Sequence, residues 1–496
     1  AHAMGNSMGN MQDYWDLMRS SKNMQGGFIW EWYNHGYKAW DEQGRFYWAY
    51  GGDLGGYNMA NDGNFCMDGI ISPDQNYIPH THIVKKVYQN ILFKAKDLNK
   101  GIITIVNDFK FVPVTPKDHN FKWVLLKNGQ QFAEGKFTAT VEADAQKDVQ
   151  LKLPAIKAEP GVEYFLQVFA YTVNATELIP AGFEVAKEEF AFASNNYFVA
   201  AADHDGSISV EKENHRYNVN AGDLRYEFWT VAGRGLTNMR YKERNILNQA
   251  PRINFWRAPT DNDFGENMQN WGRIWDAASH TAEYKFINAE EKDGKFAINY
   301  EVAFKGIQIK VDLTYVVNGD GSLTTTAHYQ ALSEDLPEMV RFGMLMTLPR
   351  EFGDFTWYGR GPHENYVDRN GDTFMGIWNG RVEDQAFHYY RPQETGNKTD
   401  VRWLELKNHN GVTIRVEGAQ PLSVSATNNL PEDLDPGKTK KQQHWSDIIP
   451  RNDVVLCVDL FQRGVAGLQS WGAKPLDQYR FMEKEYTYTY TIKVSE

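Results

Sequence analysis

Two kinds of side chain in this sequence could handle a sugar: flat aromatic rings, and carboxyl groups set beside them. The 496 residues include 15 Trp, 26 Tyr and 28 Phe, and such rings both fill cores and stack on the apolar faces of sugars in clefts. In "QGGFIWEW" Glu31 stands between Trp30 and Trp32, and Asp53 stands in "YGGDLG". A carboxyl group beside such rings is a candidate for acid, base or nucleophilic work. Glu31 and Asp53 invite that reading, but a hydrogen-bonded or salt-bridged carboxylate is the commoner fate of such residues, and neither is assigned to catalysis. "GPHENYVDR" gathers His363, Glu364, Asp368 and Arg369. The turn formers Gly359, Gly361 and Pro362 beside it make the motif a charged, hydrogen-bonded corner of a scaffold.

Composition narrows the partners. Hydrophobic residues make up 42% of the chain and charged residues 23%, the balance of a globular protein with a proper core. A net charge of -12, with acidic and basic residues interspersed, repels a phosphate backbone, so no nucleic acid partner is expected. No stretch nears the roughly 18 continuous apolar residues of a membrane helix, so no membrane partner is expected either. Cys66 and Cys457 are too few for a disulfide framework or a cysteine-built zinc site and read as buried thiols.

The elements that would position these residues change character along the chain. Met11, Tyr14, Trp15 and Met18 fall on one helical face after Asn10 and Asp13, which resemble a helix start. "QGGFIWEWYN" then puts Phe28, Trp30 and Trp32 on one side of a strand and Ile29 and Glu31 on the other. From about residue 90, runs such as "FKWVLLKNG" and "VEYFLQVFAYT" suit a small antiparallel sandwich. After "FAFASNN" the alternating segments continue to the end, among them "KFAINYEVAFKG" and "YTYTYTIKV", as one large all-β domain. The expected fold is mostly β with an α/β part, in three domains: 1–90, 91–194 and 195–496.

"AHAMGNS", "QGGFIWEW", "YGGDLG", "NFCMDGIISPD", "FWRAPTDNDFG", "YGRGPHENYVDR" and "SWGAKP" occur in this order, and together they resemble the large β-galactosidases of glycoside hydrolase family 2. The resemblance implies a C-terminal fragment of a (β/α)8 barrel, then an immunoglobulin-like β-sandwich, then a large antiparallel β-sandwich. It implies hydrolysis, with retention, of terminal β-D-galactosides such as lactose. In this family the nucleophile is a Glu in a Glu-Tyr pair directly before Ala-His-Ala-Met-Gly-Asn, and the acid/base Glu lies further upstream. This chain is therefore expected to hold no catalytic carboxylate, to be inactive alone, and to act beside the missing N-terminal part of the enzyme, as a homo-oligomer when complete.

By the same resemblance, His2 would hydrogen-bond sugar hydroxyls, and Trp30 would be the platform at the floor of the site, with Phe28 and Trp32 packed into the strand face. The Phe65 carbonyl and the Asp68 side chain would hold a sodium ion and the sugar's 6-hydroxyl, although some members carry Asn at the second position. Trp471 would reach back from the last domain to line the leaving-group subsite. Gly265 to Asn270 would form a mobile loop at the cleft mouth, and the main magnesium ligands would lie outside this chain. Alternatives are a noncatalytic complementing subunit, and a sugar-epimerase-like or carbohydrate-binding module. An epimerase needs a Glu base and a His acid in one groove, and no recognisable motif places them. Compartment is left open between bacterial cytoplasm and periplasm.

Overall fold

A computed structural model describes residues 1–56, 58–199, 206–231 and 235–496. Two compact units emerge: Ala1–Thr81 with Ala202–Asn370 and Trp378–Glu496, and His82–Ala201 with Gly371–Ile377.

The first unit opens with three short parallel strand segments. Residues 1–3 run beside 28–31, with Trp30 N–H donating to the Ala1 carbonyl at 2.8 Å and Ala3 N–H to the Trp30 carbonyl at 3.0 Å. Residues 31–34 run beside 68–71, with Glu31 N–H donating to the Asp68 carbonyl at 2.8 Å and Ile70 N–H to the Glu31 carbonyl at 3.0 Å. The helix Met11–Ser20 links the first two segments, a β-α-β path. Its expected start is displaced in chemistry: Asn10 is left-handed at φ 61° and makes no side-chain cap, while Asp13 accepts from the Tyr479 hydroxyl at 2.9 Å. Parallel strands are normally covered on both faces. Here Phe28, Trp30 and Trp32 are 95%, 61% and 59% exposed, so within this chain Phe28 and Trp32 lie open rather than packed.

A two-stranded hairpin, Tyr37–Trp40 with Phe46–Ala49, follows, and the large sandwich occupies the later parts of this unit. A five-stranded antiparallel sheet runs from Ile208–Glu213 to Arg244–Asn245, and a twelve-stranded sheet holds the strands from Gln249–Asn254 onward. Ile309–Val317 shows why the chain folds this way: Ile309, Val311, Leu313, Tyr315 and Val317 are buried and the residues between them are half-buried, the period of two that a one-sided strand requires. "YTYTYTIKV" follows the same rule, with Tyr488, Tyr490 and Ile492 in the core and Thr489 and Thr491 bonded to Thr326 and Thr324 of the neighbouring strand at 2.8 and 2.9 Å. Phe228 of the smaller sheet meets Tyr315 and Phe296 of the larger at centroid distances of 5.6 and 6.0 Å, joining the two layers.

The second unit is a small sandwich of three strands, Ile91–Asp97, Ile102–Asn107 and Gln146–Gln150, facing four: Gln130–Phe137, His119–Lys127, Tyr164–Thr172 and Glu184–Ala191. Phe93 and Phe121 meet edge to face across its core at 6.1 Å. Residues 371–377 join it through Met375, whose N–H donates to Glu189 at 2.9 Å and whose carbonyl accepts from Gln167 at 2.9 Å. Phe121 is 1% exposed and also stacks on Phe137 at 5.1 Å. Phe121→Ala is expected to destabilise this unit by about 3–5 kcal/mol, read as an earlier urea transition of a probe placed in it.

Candidate functional site

The first ten residues are fixed by side chains of the large sandwich. Gly5 has φ +58°, and a Cβ there would lie 2.2 Å from Asp261 Oδ2 and 2.5 Å from Gln393 Oε1. Only glycine allows both that backbone and that approach. Asn6 N–H donates to the same Gln393 Oε1 at 2.9 Å, and its side-chain amide donates to the Glu394 carbonyl at 2.8 Å. Gly9 N–H donates to the Ala466 carbonyl at 2.7 Å, and Arg369 donates to the Ser7 carbonyl at 2.7 Å. Asp368 accepts from the N–H groups of Val465 and Ala466 at 3.0 and 2.8 Å. "GPHENYVDR" thus holds backbone in place.

Asp261 is the node of this seam. Its buried carboxylate pairs with Arg391 at 3.0 Å and Lys440 at 2.7 Å, and accepts from Gln393 at 2.9 Å and from Asn64 at 3.0 Å. Burial by itself would raise its pKa; the Arg391 and Lys440 charges outweigh this and hold it well below the usual carboxylate range. Asn64 belongs to the 3-10 turn Gly63–Cys66, so the same carboxylate anchors the turn that carries Phe65.

That turn and the first strand segment bring the candidate residues together. His2 is 4% exposed and Asp68 1%, with His2 Nε2 3.2 Å from Asp68 Oδ2 and His2 Nδ1 2.9 Å from the Ser470 hydroxyl. The His2 ring lies 4.7 Å from Trp471 and 5.5 Å from Phe65, and those two rings are 5.9 Å apart. Trp471 is 62% exposed, so the cluster presents an indole to the outside with an imidazole and a carboxylate behind it. Trp30 stands on the adjoining strand segment, joined to His2 by a backbone bridge.

Glu31 adds a second carboxyl group. Burial, a side-chain hydrogen bond with Asp68 and the Asp68 charge raise its pKa above the ordinary Glu value; two carboxyl groups so placed bond only while one keeps a proton. His35 Nδ1 lies 3.5 Å from Glu31 on its outer side. Asp68 Oδ1 is buried without an N–H or hydroxyl donor, which suits a hard cation at one oxygen. Among the described residues, no group of three His, Cys, Asp or Glu side chains is placed to hold a metal ion.

Other candidates fall elsewhere. Asp53 accepts from Tyr50 N–H at 2.8 Å and lies 3.0 Å from His444 Nε2, a structural role. Gly265 to Asn270 is not an open loop: Asp261–Gly265 and Met268–Trp271 are helical, Met268 is buried, and a Cβ on Gly265 would lie 2.1 Å from the Ser470 carbonyl. Cys66 is half-buried, unlike Cys457, whose thiol burial pushes up to about 12. Ser470 and Asn262 were missed by sequence reasoning. Ser470 directly precedes Trp471, and Asn262 lies inside "APTDNDFG", so their place within the motifs was the available signal.

Three family models match successive parts of the chain. The family model for the β-galactosidase small chain matches residues 220–492, more than half of the chain. The family 2 glycosyl hydrolase TIM-barrel model matches 1–93, and the model for β-galactosidase domain 4 matches 103–193. A β-galactosidase of Priestia megaterium is 32% identical over 99% of this chain and 47% of its own length. One of Vibrio vulnificus is 28% identical over 98% and 47%, and one of Halalkalibacterium halodurans 30% over 96% and 46%. The chain spans about half the length of the curated relatives it matches.

Two expectations follow from the seam. Asp261→Asn leaves Arg391 and Lys440 without a buried counter-charge and is expected to cost about 3–5 kcal/mol near neutral pH. Because the native pKa is depressed, this contribution is present above the ordinary Asp value and is lost as pH falls below it. Acid titration of thermal stability should therefore bring wild type and Asp261→Asn together. Gly5→Ala is expected to cost at least about 1 kcal/mol through the left-handed backbone alone, measured by the same thermal unfolding.

Proposed function

Since this chain belongs to the β-galactosidases of glycoside hydrolase family 2, we propose that it is the C-terminal half of a retaining enzyme for terminal β-D-galactosides such as lactose. In that reading it supplies the sugar-binding wall and neither of the two catalytic glutamates. The observation that carries the reading is the convergence of His2, Phe65 and Asp68 from the barrel fragment on Trp471 from the sandwich. Buried polar groups beside an exposed ring form the combination that orients a sugar, hydroxyls to the polar side and apolar face to the ring. Trp30 would be the second platform.

The missing half of the barrel would cover Phe28 and Trp32, since parallel strands bury both faces in a finished fold, and would leave Trp30 at the floor of the cleft. Asp68 Oδ1 and the Phe65 carbonyl would hold a sodium ion there, next to the sugar's 6-hydroxyl; the support is the donorless buried oxygen.

The chain alone is expected to give no turnover of a nitrophenyl β-D-galactoside. Mixing it with a chain that carries the preceding barrel strands and both glutamates is expected to restore hydrolysis. In that assembly Trp471→Ala should raise KM about tenfold, the equivalent of roughly 1.4 kcal/mol of lost ring contact. Turnover by the chain alone that survives removal of contaminating enzyme overturns the noncatalytic reading.

A further inference from the structure

The geometry points to Ser470 and Asn262 as positioning residues that decide which ring nitrogen of His2 carries the proton. Asn262 donates its amide nitrogen to the Val465 carbonyl at 3.1 Å, which fixes the amide's orientation, because a carbonyl accepts only from the NH2 end. Asn262 Oδ1 therefore faces Ser470, 2.9 Å from its hydroxyl oxygen. An amide oxygen cannot donate, so the single Ser470 proton is committed to it.

With its proton spent on Asn262, Ser470 offers His2 a lone pair. His2 Nδ1 lies 2.9 Å from that oxygen, and the contact is a hydrogen bond only if Nδ1 carries the hydrogen. Ser470 and Asn262 are both buried, 8% and 2% exposed, leaving bulk water little access to turn the hydroxyl round. A histidine's tautomer follows from the bond its other nitrogen makes, and here that bond is dictated two contacts away, by Asn262 through Ser470. Nε2 is left as the only ring nitrogen facing Asp68 and the cluster. Asp68 Oδ2, 3.2 Å from Nε2, is an acceptor, so Nε2 bonds to it only when a second proton sits on the ring or one sits on the carboxyl group; the Nδ1 proton is set by Ser470 in either case.

The two residues come from different parts of the sandwich. Asn262 sits in the short helix Asp261–Gly265, next to the Asp261 node. Ser470 precedes Trp471 and lies so close to that helix that a Cβ on Gly265 would fall 2.1 Å from the Ser470 carbonyl. The segment that displays the exposed indole thus also sets the proton of the buried imidazole. The bearing on galactoside binding rests on the function proposed above; the position of the proton does not.

Nitrogen-15 spectra of the full chain, labelled at histidine, test this, with the His2 ring identified as the signals that His2→Gln removes. Wild type is expected to show a protonated Nδ1. Ser470→Ala should release the ring into exchange between its two tautomers, and Ser470→Thr, which keeps the hydroxyl, should restore the wild-type pattern. Asn262→Leu frees the Ser470 hydroxyl to donate to Nδ1 and should move the proton to Nε2. An unprotonated Nδ1 in wild type overturns the inference without recourse to any variant, as does a folded Ser470→Ala whose His2 signals match wild type. Galactose titration of the assembled enzyme is scored separately: no binding with Nδ1 protonated defeats the functional reading and leaves the proton assignment standing.

Discussion

A carboxylate sealed from water is the constraint on which the first unit turns. Asp261 is 1% exposed, and an ionised group so placed is tolerable only with opposite charge and hydrogen bonds on all sides. Arg391 and Lys440 supply the charge, and Gln393 and Asn64 the bonds. Those demands reach well beyond the residue itself. Gln393 bonds Asn6, Gly5 must lack a Cβ to pass the pair, and Asn64 ties down the turn that bears Phe65. His2 and Phe65 meet because both strands of chain are fastened to one anion.

The surrounding seam repeats this logic. Arg257 pairs with Asp263 at 2.8 Å, Arg369 with Glu364 at 2.8 Å, and Arg341 with Asp459 at 2.7 Å, all buried. Arg463 joins Asp263, Glu266 and Glu338. Desolvation cancels much of the attraction in each pair, whereas separating the partners strands a charge in the interior. Such pairs add little to stability compared with an apolar core, but they penalise every other register of the two surfaces. The hydrophobic work is done instead between the sheets, where Phe228, Phe296 and Tyr315 interlock.

Polar and apolar parts of the candidate site are correspondingly divided. The buried part is a series of contacts joining the Val465 carbonyl, Asn262, Ser470 and His2, with Asp68 on the far side of the imidazole. The exposed part is the indole of Trp471, with Trp30 on the neighbouring strand segment. Rigid polar groups behind accessible rings give orientation and contact area from separate sources, so either could be altered without rebuilding the other.

Strand periodicity in "YTYTYTIKV" and in Ile309–Val317, the helix face from Met11 to Met18 and the division into barrel fragment and sandwiches could all be read from the sequence, because each depends on neighbours a few residues apart. Ordered motifs identified the family for the same reason: they are local strings. What only the tertiary structure decided is who meets whom. Asn10 and Asp13 have the residue types of a helix start, yet Asp13 is occupied by Tyr479. Gly265 to Asn270 has the glycine and asparagine of a loop, yet Gly265 ends the helix Asp261–Gly265, which Thr260 and Asp263 cap, and packs beneath Ser470, while Met268–Trp271 is helical. The roles of Ser470 and Asn262 were invisible in the same way. A hydroxyl's direction depends on an amide 208 residues away in sequence, and no local pattern encodes a contact made only when the chain returns to itself.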